Sequence, residues 1–432
     1  MNLSENQLRD YLFCNYRNSI AELIQGRREP VGWSGEGFPP IRVLLQNILE
    51  RRINSIIDSM SSLSLLAKEL RLERSSDTTT RIDLFGHSEE SGMVIIELKK
   101  SRQTERQSFT ELLGYANHFC TLFPGLSENA ISSVLIAPME TRTVKDAYVQ
   151  EALVNNKRSL ALIPQFANGQ LRLVVFYPDP SYYRWYEDAI LDDPSTLTVA
   201  IAFQEINGWI SSSQNSSEDI PHYSRRNLNL ISNTISQGLE AAGFHSIVYA
   251  SQKWGEIAQV FPFPNVIYAV VINPFARPME DIEDRLRHRG TNQGRALEIQ
   301  ALLKQFEEVE RDIWIESVES CFHDFAIETA LESFKTCLRS CPSEKVDHEI
   351  STPNWNGIKT SMIDAVLVHN LEVHLSGLLQ RIYLAYMSYV YDSGFDPIYY
   401  QDDLPRYSFS MVKDFMPVWE ILKGLGSRDA PV

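Results

Sequence analysis

Two acids and a lysine stand at a spacing that suits phosphate chemistry. Arg81-Ile82-Asp83 is followed, fourteen residues after the aspartate, by Glu97 of Glu97-Leu98-Lys99. Side chains at i and i+2 of a strand share a face, so Glu97 and Lys99 project together. The run Met93-Val94-Ile95-Ile96 before them predicts a buried, central strand. A carboxylate and an ammonium at the end of such a strand need a reason. If the strands carrying Asp83 and Glu97 pair through their short connector, the two acids lie side by side and offer oxygen donors to a hard divalent cation, Mg²⁺ or Mn²⁺. Bound there, a metal polarises a phosphate and acidifies a water, while Lys99 positions that water or neutralises developing charge. Read alone, the triple is more commonly an ion pair at a strand end, so its weight depends on the elements that position it.

Those elements follow a definite order. Pro39-Pro40 opens an amphipathic helix from Ile41 to about Met60, with Leu44, Leu45, Ile48, Ile53 and Ile56 on one face. Three strands are predicted next, over 68–74, 79–86 and 93–99, joined by turn-rich connectors that suit an antiparallel meander. A second helix spans 104–123 on a stripe of Phe109, Leu112, Leu113, Ala116 and Phe119, and further strands are predicted over 132–137, 159–164 and 171–177. The order is helix, three strands, helix, strand. Residues 1–25 show only a rough helical spacing of apolar positions.

Asp83 on the second strand and Glu97-x-Lys99 on the third make residues 40–140 resemble the PD-(D/E)XK nuclease superfamily. The resemblance implies an α/β fold in which a restriction-endonuclease-like mixed sheet is flanked by helices. It implies Asp83, Glu97 and Lys99 as catalytic residues, and metal held by Asp83, Glu97, the Leu98 carbonyl and an acid of the first helix, Glu50. Two departures stand out. Ile82 replaces the proline before the first acid, and the Gln-x-x-x-Tyr pair of the RecB-like branch reads Glu111-x-x-x-Tyr115. Gln107, Glu111 and Tyr115 fall at i, i+4 and i+8, so they line one helical face, with Gln107 able to take the glutamine's place. Lys100, Arg102 and Arg106, with Arg51, Arg52, Arg71, Arg74 and Arg81, offer a phosphate-tracking cleft. Nucleic acid, DNA ahead of RNA, is the implied partner, in restriction, phage defence or repair.

Over 432 residues the formal charge is −16, which argues against a protein coating nucleic acid with its whole surface. The acidity is uneven. Residues 1–180 hold 20 Lys+Arg and 21 Asp+Glu, a net of −1; residues 181–432 hold 20 and 35, a net of −15. The predicted organisation is a nuclease-like domain over 1–180, a second small α/β region over 195–275, and a mostly helical acidic region over 276–432, clearest at 296–340 and 362–393. That acidic half suits a protein partner or a homodimer contact. The alternative reading is a non-catalytic binding or scaffold protein whose nuclease-like core is a platform and whose acidic half docks a basic partner or mimics DNA. Five scattered cysteines suit a reducing compartment, so cytoplasmic location is expected, and no apolar stretch reaches membrane-spanning length. Cys337, Cys341, Cys321 and His348 make only a weak zinc set, without tight Cys-x-x-Cys knuckles. The basic run 285–295 reads equally as a phosphate grip or a solvated helix end, and the aromatic groups at 182–186 and 399–400 read better as packing than as base-stacking platforms.

Overall fold

A computed structural model describes residues 3–72, 80–102, 104–167, 169–191, 196–211, 220–252, 263–273, 293–343, 345–395 and 412–424. The chain is mixed α/β and divides into two compact units, one of Met1–Trp33 with Leu45–Tyr182 and one of Ser34–Leu44 with Tyr183–Val432.

The first unit is built on a seven-stranded mixed sheet. Its strands are β1 (Ile24–Gln25), β2 (Ser64–Arg71), β3 (Arg81–Ser88), β4 (Gly92–Leu98), β5 (Ile131–Ile136), β6 (Ser159–Ala167) and β7 (Gln170–Val175), in the order β1-β7-β6-β5-β4-β3-β2. Strands β2, β3 and β4 form the expected antiparallel meander. Strand β5 returns parallel to β4 after a helical crossover, and β6 lies parallel to β5. Strand β4 is interior, between β5 and β3, and Val94, Ile95 and Ile96 are buried, as a strand covered on both faces requires. Strand β3 instead alternates, with Ile82 and Leu84 inward and Asp83 and Phe85 half-buried.

Helices α1 (Glu5–Asn15), α2 (Ile41–Ser59), α3 (Ser108–Leu122) and α4 (Arg142–Val149) accompany this sheet. Helix α1 begins with a capping box, the Ser4 hydroxyl accepting from the Gln7 amide while the Gln7 side chain accepts from the Ser4 amide. Its Leu8 and Leu12 are buried one turn apart. A 3₁₀ turn over Glu105–Gln107 leads into α3.

Helix α5 (Pro180–Leu191) spans the division, and the second unit holds a five-stranded antiparallel sheet of β8 (Thr196–Phe203), β9 (Ser246–Gln252), β10 (Asn265–Ile272), β11 (His348–Ser351) and β12 (Val373–Leu375), in the order β11-β8-β10-β9-β12. Helices α6 (His222–Ala241), α7 (Gln293–Leu303), α8 (Glu308–Leu338), α9 (Trp355–Ile363), α10 (Gly377–Asp392) and α11 (Val412–Gly424) complete it. The regions expected over 195–275 and 276–432 therefore share one sheet, because β11 and β12 pair with β8 and β9. The continuous helices expected over 296–340 and 362–393 are each broken. Glu307 caps a new helix at α8, and Asn370 and Gly377, both at positive φ, bracket β12. Among the described residues no helix is long and apolar enough to cross a membrane.

Candidate active site

The β3–β4 ladder pairs Leu84 with Ile96, so one step further along it Asp83 falls level with Glu97. Beyond β4, the Lys99 amide donates to the Ile136 carbonyl of β5 at 2.9 Å, which fixes the lysine's backbone. The Leu98 amide donates to Asp83 Oδ2 at 2.9 Å, which fixes the aspartate. Strand pairing thus brings the three side chains together at the end of a buried strand.

They open onto a cavity of about 590 Å³, lined also by Glu5 of α1, by Leu72, Thr80 and Arg81, and by Thr110, Glu111, Gly114, Tyr115 and His118 of α3. Glu97 is 3% exposed and Lys99 8%. The Lys99 ammonium sits between two carboxylates, 2.7 Å from Glu97 Oε1 and 2.6 Å from Glu111 Oε2. Burial pulls this ammonium down, but Glu97 and Glu111 more than offset it, and the group is held above its ordinary range, charged and donating. Burial and the neighbouring Asp83 charge push Glu97 up to about 9. Burial likewise raises Asp83, against the pull of the Leu98 amide, Lys99 and Arg9. The Tyr115 hydroxyl is raised by burial and by the charges of Glu97 and Glu111, so it stays a neutral donor.

Two residues of α1 complete the arrangement. Glu5 lines the cavity; burial raises its carboxyl, with Lys99 and the Lys100 backbone opposing and Asp83 adding. Arg9, one turn on and 7% exposed, reaches Glu69 Oε1 of β2 at 3.1 Å and Asp83 Oδ1 at 3.6 Å. Neither residue carries a local signal of function. The clue is a charged i, i+4 pair beside the buried Leu8 and Leu12, on a helix more than seventy residues before Asp83 in the sequence.

The other expected residues are placed as follows. Tyr115 and Glu111 line the cavity, and Leu98 contributes its amide bond to Asp83. Lys100 and Arg102 are exposed just beyond β4, and Gln107 is exposed and not among the cavity-lining residues. The Arg106 side chain, Arg74, residues 285–292 and the pair at 399–400 lie outside the described residues. Glu50 is not among the cavity-lining residues. It is buried on α2, accepts from Gln46 Nε2 at 2.9 Å and has Tyr177 as an electrostatic neighbour. The acid that a helix does bring to Asp83 and Glu97 is Glu5. In the second unit Cys337 is buried against Thr234, Cys341 donates to the Ser343 carbonyl and the His348 ring packs on Phe334.

Among the described residues no group of three or more His, Cys, Asp and Glu side chains stands in metal-holding geometry. The donor chemistry of Asp83 and Glu97 nevertheless suits a hard cation that keeps most of its waters. Glu97 Oε2 is buried without a hydrogen-bond partner, and burial raises both acids despite the nearby Lys99 and Arg9. No protein-family model, curated protein or solved structure matches the chain.

Proposed function

We propose that the first unit is a metal-dependent nuclease of the PD-(D/E)XK type, hydrolysing phosphodiester bonds in nucleic acid, DNA in preference to RNA. The observation that carries this reading is the convergence of Asp83, Glu97 and Lys99 at one cavity. The supporting frame is the order α2, β2–β3–β4 antiparallel, α3, β5 parallel, with the first acid on the middle strand of the meander and Glu-x-Lys at the end of the next.

Asp83 and Glu97 would hold Mg²⁺ or Mn²⁺, with Glu5 close by as a further carboxylate. When bound, the ion supplies a polarised phosphate oxygen and a water acidic enough to ionise near neutral pH. The chain's own groups do the rest. Lys99 presents a fixed ammonium that can donate to a phosphate oxygen or to an attacking water. Glu111 holds that ammonium from the side of α3, and Arg9 holds the Asp83 carboxylate from the side of α1. Lys100 and Arg102, exposed just after Lys99 in the chain, would meet flanking phosphates.

The test is cleavage of single-stranded and duplex DNA and of RNA with Mg²⁺ or Mn²⁺, comparing wild type with Asp83→Ala and Lys99→Ala. Each substitution is expected to lower kcat by about 10²- to 10⁴-fold. Equal cleavage by all three proteins would locate any activity elsewhere and remove the assignment.

A further inference from the structure

Helix α3 lays five residues along the cavity, and at the centre of that face stands Gly114. Glu111, which holds Lys99, is three residues before it, and Thr110 and His118 lie one turn to either side. A glycine in the middle of a helix is the poorest ordinary choice after proline, because it orders the most backbone freedom and offers no side chain to pack. Packing does not explain it here: Gly114 is exposed, and a Cβ built on it meets no atom within 4 Å. Nor does the backbone, which is ordinary right-handed helix. The free protein gives no reason for a glycine at 114; the space in front of it does. That space also receives the buried Glu97 carboxylate, one of whose oxygens has no hydrogen-bond partner.

We infer that Gly114 is a substrate-approach residue: the sugar-phosphate backbone of the bound nucleic acid passes over the bare main chain of α3 at this point, within one turn of the residue that holds Lys99. A glycine lets a ligand come closer to the main chain than any side chain would. This rests on the nuclease reading and adds where on the cavity wall the strand runs.

The experiment compares Gly114→Ala, Gly114→Leu and, as a control on the exposed part of the same helix, Asn117→Leu. Readouts are melting temperature, steady-state cleavage of labelled DNA, and affinity for the same oligonucleotide in EDTA. The inference expects both Gly114 variants to melt at or above the wild-type temperature. It expects KM and Kd to rise about threefold for Gly114→Ala and about tenfold or more for Gly114→Leu, with kcat within about twofold and Asn117→Leu unchanged. Unchanged KM and Kd in Gly114→Leu, or a lowered melting temperature, would overturn it while leaving an Asp83-dependent nuclease intact. A wild type that neither cleaves nor binds any member of the panel would remove both.

Discussion

Lys99 is held by two carboxylates that reach it from different elements, Glu97 from its own strand end and Glu111 from α3. A lysine side chain has four rotatable carbons and many rotamers, so one partner alone leaves its head group a wide arc. Glu111 narrows that arc. Glu111→Ala is therefore expected to lower kcat by about tenfold to a hundredfold with KM little changed, and Glu111→Gln, which keeps an oxygen acceptor, to restore part of the loss. Steady-state kinetics on the substrate cleaved by the wild type checks this. A change in KM alone would assign Glu111 to binding. At this scale the sequence was informative where the geometry is local. Asp83, Glu97 and Lys99 follow from a two-residue strand repeat and one short connector. Glu50 does not line the cavity, and an amphipathic pattern identifies the core-facing side of α2 but not which neighbour its remaining polar positions meet. Glu5 and Arg9 were missed because α1 reaches the site only through tertiary folding.

Two helices begin on side chains supplied from far along the chain. Glu105, fully buried, accepts from the Thr141 amide at 2.6 Å and from the Glu140 amide at 3.2 Å, and Thr141 itself gives α4 no side-chain cap. A carboxylate suits the positive end of a helix. It also ties the 3₁₀ turn behind Lys99 to the loop after β5, so Glu105→Ala should destabilise the protein by about 2–3 kcal/mol in urea unfolding, through the lost charged hydrogen bonds. A cost below about 0.5 kcal/mol would show that water replaces it. His245 does the same for α10, accepting at Nδ1 from the Leu378 amide at 3.2 Å. Burial, then Arg381, pushes this imidazole down to about 4, and Glu240 near the Gly377 amide is the acid on that side. Protonation would fill the acceptor and set a cation against a helix N-terminus. The folded value lies below the unfolded 6.5, so the contribution is full above about pH 6.5 and lost as pH falls towards 4, to a limit of about 3 kcal/mol. The stability difference between wild type and His245→Asn should shrink over that interval; a pH-independent difference would contradict it. Neither cap was legible, since each joins residues far apart in sequence. The long amphipathic helices α2 and α3 were legible; the short α4 and α5 were not, and the apolar patterns over 296–340 and 362–393 gave no sign of the breaks before Glu307 and between Asn370 and Gly377.

Charge is the property of the whole chain that most affects how a nucleic acid would bind. The net of −16 divides into −1 before residue 181 and −15 after it, and this partition needs only the sequence. The sheet that joins β11 and β12 to β8 and β9 was not legible, because four- and three-residue strands leave almost no periodic signal. The partition nonetheless yields a quantitative expectation. Each cation that neutralises a phosphate releases condensed counterions, so binding weakens with salt in proportion to the number of such contacts. Lys100 and Arg102 are exposed beside the carboxylate site and belong to the near-neutral part. If both track phosphates, Lys100→Ala and Arg102→Ala should each reduce the slope of log K against log salt by about 0.7–0.9, measured by titrating labelled DNA at several salt concentrations in EDTA. Glu328→Gln with Glu332→Gln, both exposed on α8, should leave the slope unchanged, because acids of the second unit neutralise no phosphate. A slope insensitive to Lys100 and Arg102 but altered by the α8 pair would move the nucleic-acid surface out of the first unit.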